Sequence, residues 1–139
     1  MDQISKFTTD IRNAVFAKRT FVDLPGIKMN EALLKVLSAH GFIAGYKKII
    51  PEITRGKASF PIFRAHFNIL DMGGQMRHVM RDIEQVSTPS FRRYKKAKEI
   101  FRVQNGLGIS VFSTSSGFMT GSEAREKNIG GLCVLKVYS

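Results

Sequence analysis

The stretch Ser113-Thr114-Ser115-Ser116-Gly117-Phe118-Met119-Thr120-Gly121-Ser122-Glu123-Ala124-Arg125 decides how this chain folds at its candidate site. Four hydroxyl residues run into a glycine, and Thr120 and Glu123 then stand in the T-x-x-E relation of a helix capping box. The apolar residues 108–112 upstream predict a short strand that delivers the loop. The capping box predicts a short helix to about Lys127. Asn128 and Gly130-Gly131 supply left-handed residues to end it, and residues 132–138 read as a closing strand. Short hydroxyl side chains and free loop N–H groups suit phosphate and sugar oxygens, and base edges in a distorted stem. The plain alternative is a polar turn between two elements.

The rest of the chain favours the first reading. It has 139 residues, 22 basic and 11 acidic, for a net charge of +11. A surplus that large is most simply explained by a polyanionic partner. Residues 1–74 hold 11 basic and 6 acidic side chains, and residues 75–139 hold 11 and 5. The charge therefore belongs to a folded body and not to a tail. With 43% hydrophobic residues a packed interior is expected. Cys133 is the single cysteine, which excludes an intramolecular disulfide and a multi-thiolate zinc site and suits a small core side chain. No run approaches the ~18 apolar residues of a membrane span. The start, Met1-Asp2-Gln3, lacks a signal or transit pattern. A soluble, intracellular protein is expected.

Upstream, Ile4, Phe7, Ile11 and Val15 predict an amphipathic helix over 3–17. Residues 20–24 predict a strand ending at Pro25-Gly26. Asn30 reads as the N-cap of a second helix that stops at Gly41. Residues 42–50 and 59–70 predict strands, with Arg55-Gly56-Lys57 as a turn between them and Pro61 marking an edge or a bulge. Asp71-Met72-Gly73-Gly74 breaks the pattern and is the best boundary. Residues 76–86 suit a helix or an extended strand. Residues 91–96 predict a basic, aromatic strand, and 97–104 a short helix ending at Asn105-Gly106. The fold class is α+β, in two small lobes. Residues 1–73 form an α-β-α-β-β lobe, and residues 74–139 a mostly β lobe with a short helix.

Beyond the hydroxyl loop, Arg92-Arg93-Tyr94-Lys95-Lys96 surrounds one aromatic with cations, which suits phosphate contacts and stacking on an unpaired base. A solvated charged face is the alternative. Arg12, Lys18, Arg19 and Lys28 form a weaker basic set, which suits either a phosphate grip or a solvated surface. Catalysis finds little support. The chain has no G-x-S-x-G elbow, no P-loop and no H-E-x-x-H. His40, His66 and His78 are isolated, and His40 suits a helix end. No enzyme activity, metal, cofactor, small-molecule substrate or membrane partner is expected.

These residues resemble the small-subunit ribosomal protein eight family. Asn105-Gly106-Leu107-Gly108-Ile109, Ser113-Thr114-Ser115 with Gly117, Met119 and Thr120, Glu123-Ala124-Arg125 and Gly130-Gly131 are similar to its signature, in order and spacing. Ser87-Thr88-Pro89 with Arg92 and Tyr94, Ile11-Arg12-Asn13-Ala14, Pro25 with Lys28, and Gly41-Phe42-Ile43 extend the resemblance over nearly the whole chain. The resemblance implies two α/β lobes and binding to the central domain of small-subunit ribosomal RNA, early in assembly, at an irregular, bulged stem. It implicates Ser113, Thr114 and Ser115, with Ser116, Gly117 and Thr120 in the same loop. It implies Tyr94 and Arg92 as neighbours of that loop, and Arg93, Lys95, Lys96, Arg12 and Lys28 are expected among the RNA-binding residues. Implied partners are small-subunit rRNA and neighbouring ribosomal proteins. Ser116 stands where bacterial relatives are often basic, and residues 46–58 and 71–80 match poorly. That drift resembles an organellar, mitochondrial member more than a bacterial cytoplasmic one. The alternative function is a stand-alone RNA-binding translational regulator.

Overall fold

The computed structural model describes residues 2–50, 60–87, 94–97 and 108–139. The first half runs α1 (Gln3–Phe16), β1 (Phe21–Pro25), α2 (Lys28–Ala39), β2 (Ile43–Ile49) and β3 (Ile62–Phe67), the order the sequence predicts. Then follow β4 (Ile69–Met72), β5 (Gln75–His78), β6 (Asp82–Gln85), β7 (Tyr94–Lys95), β8 (Gly108–Thr114), β9 (Gly117–Thr120), α3 (Gly121–Glu126) and β10 (Gly131–Tyr138). Helices and antiparallel sheets stand side by side, an α+β fold.

Asp2 starts α1 by accepting from the N–H groups of Ile4 (2.8 Å) and Ser5 (3.1 Å). One stripe of the helix, with Phe7, Ile11, Ala14 and Val15, is buried. Asn30 does not cap α2. The helix begins two residues earlier, at Lys28, and the Asn30 amide donates to the Pro25 carbonyl (2.9 Å), tying α2 to the end of β1. Gly41 follows α2 at φ +79, the left-handed turn that ends it.

The order β1-β3-β2 puts β3 in the middle of the first sheet. Pro61 therefore does not mark an edge strand. It stands just ahead of β3, where its carbonyl accepts from Gly26 N–H (2.9 Å). The single strand expected over 59–70 is two strands, parted at Asn68, whose side chain donates to the Gly41 carbonyl (2.9 Å). The second, β4, pairs with β5 in a hairpin that turns on Gly73 and Gly74, both at positive φ. The boundary expected there falls at the tip of that hairpin. For residues 76–86 the extended alternative holds, as β5 and β6. The Arg55-Gly56-Lys57 turn and the helix expected over 97–104, Ala97 aside, lie outside the described residues.

The second sheet has the order β6-β10-β8-β9, with β7 also paired to β10. A single buried core runs through both halves. It joins Phe7 and Ile11 of α1 and Leu33, Leu34 and Leu37 of α2 to Ile83, Val111, Leu135 and Val137. Ser5 also donates to Gln85 across 80 residues (2.6 Å). A smaller cluster, Phe112, Met119, Ala124 and Cys133, packs α3 against β8, β9 and β10. With the core shared, both halves should unfold in one urea transition followed by circular dichroism. Ile83→Ala, at a fully buried position, should lower stability by about 2–5 kcal/mol and move that whole transition. Two separated transitions, with only one moved, would contradict a shared core.

Candidate nucleic-acid interface

The hydroxyl run is not a loop between a strand and a helix. It is a β-hairpin. Strand β8 continues through Ser113 and Thr114, Ser115 and Ser116 make the turn, and Gly117 opens β9. The register pairs Val111 with Thr120, Phe112 with Met119, Ser113 with Phe118 and Thr114 with Gly117. Gly117 takes φ +100, which a side chain would resist. The signal for β9 was present in Phe118-Met119-Thr120, but hydroxyl residues on both sides of the turn masked it as loop.

The four hydroxyls have different tasks. The Thr114 hydroxyl donates to the Gly117 carbonyl (2.8 Å) and accepts from Ser116 N–H (3.1 Å), so it helps to close the turn. Ser115 and Ser116 are exposed at the tip, and their hydroxyls have no partner among the described residues. Ser113 is half-buried. It lines a depression of about 280 Å³ with Asp2, Gln85, Phe118 and Leu132 among its walls. Thr120 is buried and caps α3 by accepting from Glu123 N–H (3.2 Å). It holds the hairpin against α3 and is turned away from solvent.

Sheet pairing brings the basic segment to this hairpin. Leu132 of β10 pairs with Ser113 on one side and Tyr94 on the other, and Gly131 pairs with Lys95. Tyr94 and Ser113 are thus two strands apart, about 10 Å. Tyr94 is 65% exposed. Lys95 and Lys96 form no ion pair with a described residue. Arg92 and Arg93 lie outside the described residues.

Gly130 and Gly131 are not left-handed; Asn128, at φ +55, ends α3. The glycines are needed for close approach. A Cβ on Gly130 would lie 2.9 Å from the Lys95 carbonyl oxygen and 3.0 Å from the Tyr94 hydroxyl. One on Gly131 would lie 2.8 Å from the Ser113 carbonyl oxygen. Spacing alone points these glycines to helix termination, because it does not reveal which backbone passes alongside.

The weaker basic set does not join this site as a unit. Arg12 sits in the seam between α1 and β6, paired with Asp82 (3.2 Å) and 5.2 Å above the Phe16 ring. Lys28 is exposed at the start of α2, next to Met29, which lines the depression under Ser113. The sequence marks Glu123 as a capping-box residue and not as a tie between the two halves. Its carboxylate meets His40, at the end of α2, at 3.1 Å, and so ties the first half to the helix behind the hairpin. No group of three or more His, Cys, Asp or Glu side chains able to hold a metal occurs among the described residues. No described helix is long and apolar enough to cross a membrane.

The family described as Ribosomal protein S8 matches residues 2–138. The chain belongs to that family. A small ribosomal subunit protein uS8 of Nitrobacter winogradskyi is 40% identical over 137 residues, covering 99% of this chain and 97% of the relative. Its counterparts in Chlamydia abortus and Brucella ovis are 43% and 39% identical, over 96% and 99% of this chain and 96% and 97% of theirs. All three relatives are bacterial and carry the name of a small-subunit protein; none supports the expected mitochondrial assignment. Membership of the S8 family places this chain among ribosomal proteins.

The His40 hydrogen bond, against an opposing effect of burial and with help from Thr120, holds the Glu123 carboxyl below the ordinary glutamate value. A lowered folded pKa stabilises the fold above the unfolded value, and that contribution is lost as pH falls through the folded one. Glu123→Gln should therefore flatten the acid limb of stability against pH in urea titrations. At neutral pH it should cost less than about 1 kcal/mol, because the pair is partly exposed. Parallel acid limbs for the two proteins would show that the pair does not couple α2 to α3.

Proposed function

We propose that this protein is a structural component of the small ribosomal subunit and binds the central domain of small-subunit rRNA at an irregular stem, without catalysing a reaction. The observation that carries the reading is the position of β10. It sets the exposed hydroxyls of the β8–β9 tip near Tyr94, Lys95 and Lys96, which form no ion pair among the described residues, in a chain of net charge +11. Regular A-form RNA hides its major-groove base edges in a deep, narrow groove, whereas a bulge opens the stem to short polar side chains. Ser113, Ser115 and Ser116 provide those side chains, and Lys95, Lys96 and the Arg92-Arg93 pair provide phosphate contacts. Exposed Tyr94 stacks on an unpaired base in this reading. Thr114 and Thr120 shape the hairpin, and Gly117 turns it. Arg12 and Lys28 extend the basic surface into the first half.

Binding rRNA implies neighbouring small-subunit proteins as further partners. The relatives above carry bacterial names, which favours a bacterial-type ribosome over the mitochondrial one suggested by the drift at 46–58 and 71–80. Regulation of a messenger that imitates the rRNA stem would use the same surface and remains the second reading.

Filter binding or calorimetry on a bulged central-domain stem at several salt concentrations separates the two kinds of contact. Ser113→Ala and Ser115→Ala should each lose about 1–3 kcal/mol per well-made contact, with the salt slope unchanged. Lys95→Gln and Lys96→Gln should weaken binding to any RNA and reduce the slope by about one per lost phosphate contact. The reverse pattern would overturn this division.

A further inference from the structure

A groove of about 960 Å³ runs between α1 and β1, away from the hairpin. One wall is a side of α1 carrying Lys6, Asp10 and Asn13, with Ala17 just past its end, and the other is β1 itself. Among the described residues β1 pairs only with β3. Their ladder is bracketed by hydrogen bonds from Phe67 N–H to the Thr20 carbonyl and from Gly26 N–H to the Pro61 carbonyl, both 2.9 Å. In an antiparallel pair the bonded positions alternate. Residues 20, 22, 24 and 26 therefore face β3, and Phe21 and Asp23 turn their N–H and C=O groups outward. Those four groups have no partner among the described residues.

An open edge is usually guarded by charge. The opposite edge strand, β2, carries exposed Lys47 and Lys48, but β1 has no lysine, and its one charged residue, Asp23, is held by Arg64 (2.8 and 3.0 Å). Pro25, which has no N–H to offer, limits the open edge at its far end. Exposed Phe21 and Phe60 stand at the groove. Its charged side chains are Lys6 and Arg19 against Asp10 and Asp23, so it is balanced in a chain with twice as many cations as anions. Two carboxylates repel a polyanion; an uncharged, extended polypeptide meets neither penalty. We propose that the β1 edge and the α1 wall form a strand-addition site for an extended segment of another protein, uncharged and with apolar side chains at alternate positions. Main-chain bonds to Phe21 and Asp23 hold such a strand, and the groove between α1 and β1 takes every second side chain. The site is separate from the RNA surface and does not depend on it.

The test selects binders of the full chain from a phage-displayed library of random twelve-residue peptides, and follows amide hydrogen exchange by NMR with the synthetic winners. Enriched peptides should slow exchange at Phe21 and Asp23. They should bind at least tenfold more weakly to Ala17→Trp, which fills the groove from an exposed position, and normally to Ala17→Ser; circular dichroism checks that both variants fold. Failure to enrich any peptide, or winners that leave those two amides exchanging as before, would overturn the proposal. So would displacement of the peptide by the bulged RNA stem, which would give the groove to RNA. Concentration-dependent dimers that the peptide does not dissolve would instead assign the edge to a second copy of this chain and also overturn it. If the chain bound peptide but no RNA, the rRNA reading would fail alone.

Discussion

Everything proposed for the RNA surface depends on how closely two backbones pass β10. The strand takes β7 on one side and β8 on the other at a single place, Gly131-Leu132. There the Ser113 carbonyl and the Lys95 carbonyl come so near that neither Gly130 nor Gly131 has room for a Cβ. Two segments far apart in sequence, one cationic and one hydroxyl-rich, become neighbours because two adjacent residues lack side chains. The rest of the second sheet serves to hold that crossing still. Behind it, Phe112, Met119, Ala124 and Cys133 pack α3 onto the hairpin, and the Thr120 cap and the His40–Glu123 pair fix α3 in turn.

The fold was largely legible where hydrophobic period and turn chemistry agree. Ile4, Phe7, Ile11 and Val15 repeat at the helical spacing and give α1 nearly to the residue. The α-β-α-β-β order of the first half follows from similar signals. Errors arose where a local rule met a tertiary demand. Asn30 has the chemistry of a cap, yet its amide is used to reach Pro25, and α2 starts earlier. Pro61 has the chemistry of an edge, yet it precedes the central strand. Residues 113–120 have the composition of a loop, yet cross-strand pairing with β8 makes a strand of their second half.

At the site, the residue types were legible and their tasks were not. A run of four hydroxyls does not say which one closes the turn; only the Thr114–Gly117 bond does. Nor does spacing show that Arg12 is drawn to Asp82 in another seam, or that Thr120 is buried. The contrast between the two open surfaces is electrostatic. The hairpin side offers lysines with no ion-pair partner among the described residues, while the groove beside β1 balances each cation with a carboxylate. Surfaces so different in charge suit different classes of partner.

The most direct measurement compares binding to a central-domain stem with binding to the same stem after its bulges are repaired to regular pairing, at two salt concentrations. The account predicts a preference of roughly a hundredfold or more for the bulged stem that persists at the higher salt. Equal, steeply salt-dependent binding to both stems would contradict it, leaving only a basic surface on phosphates.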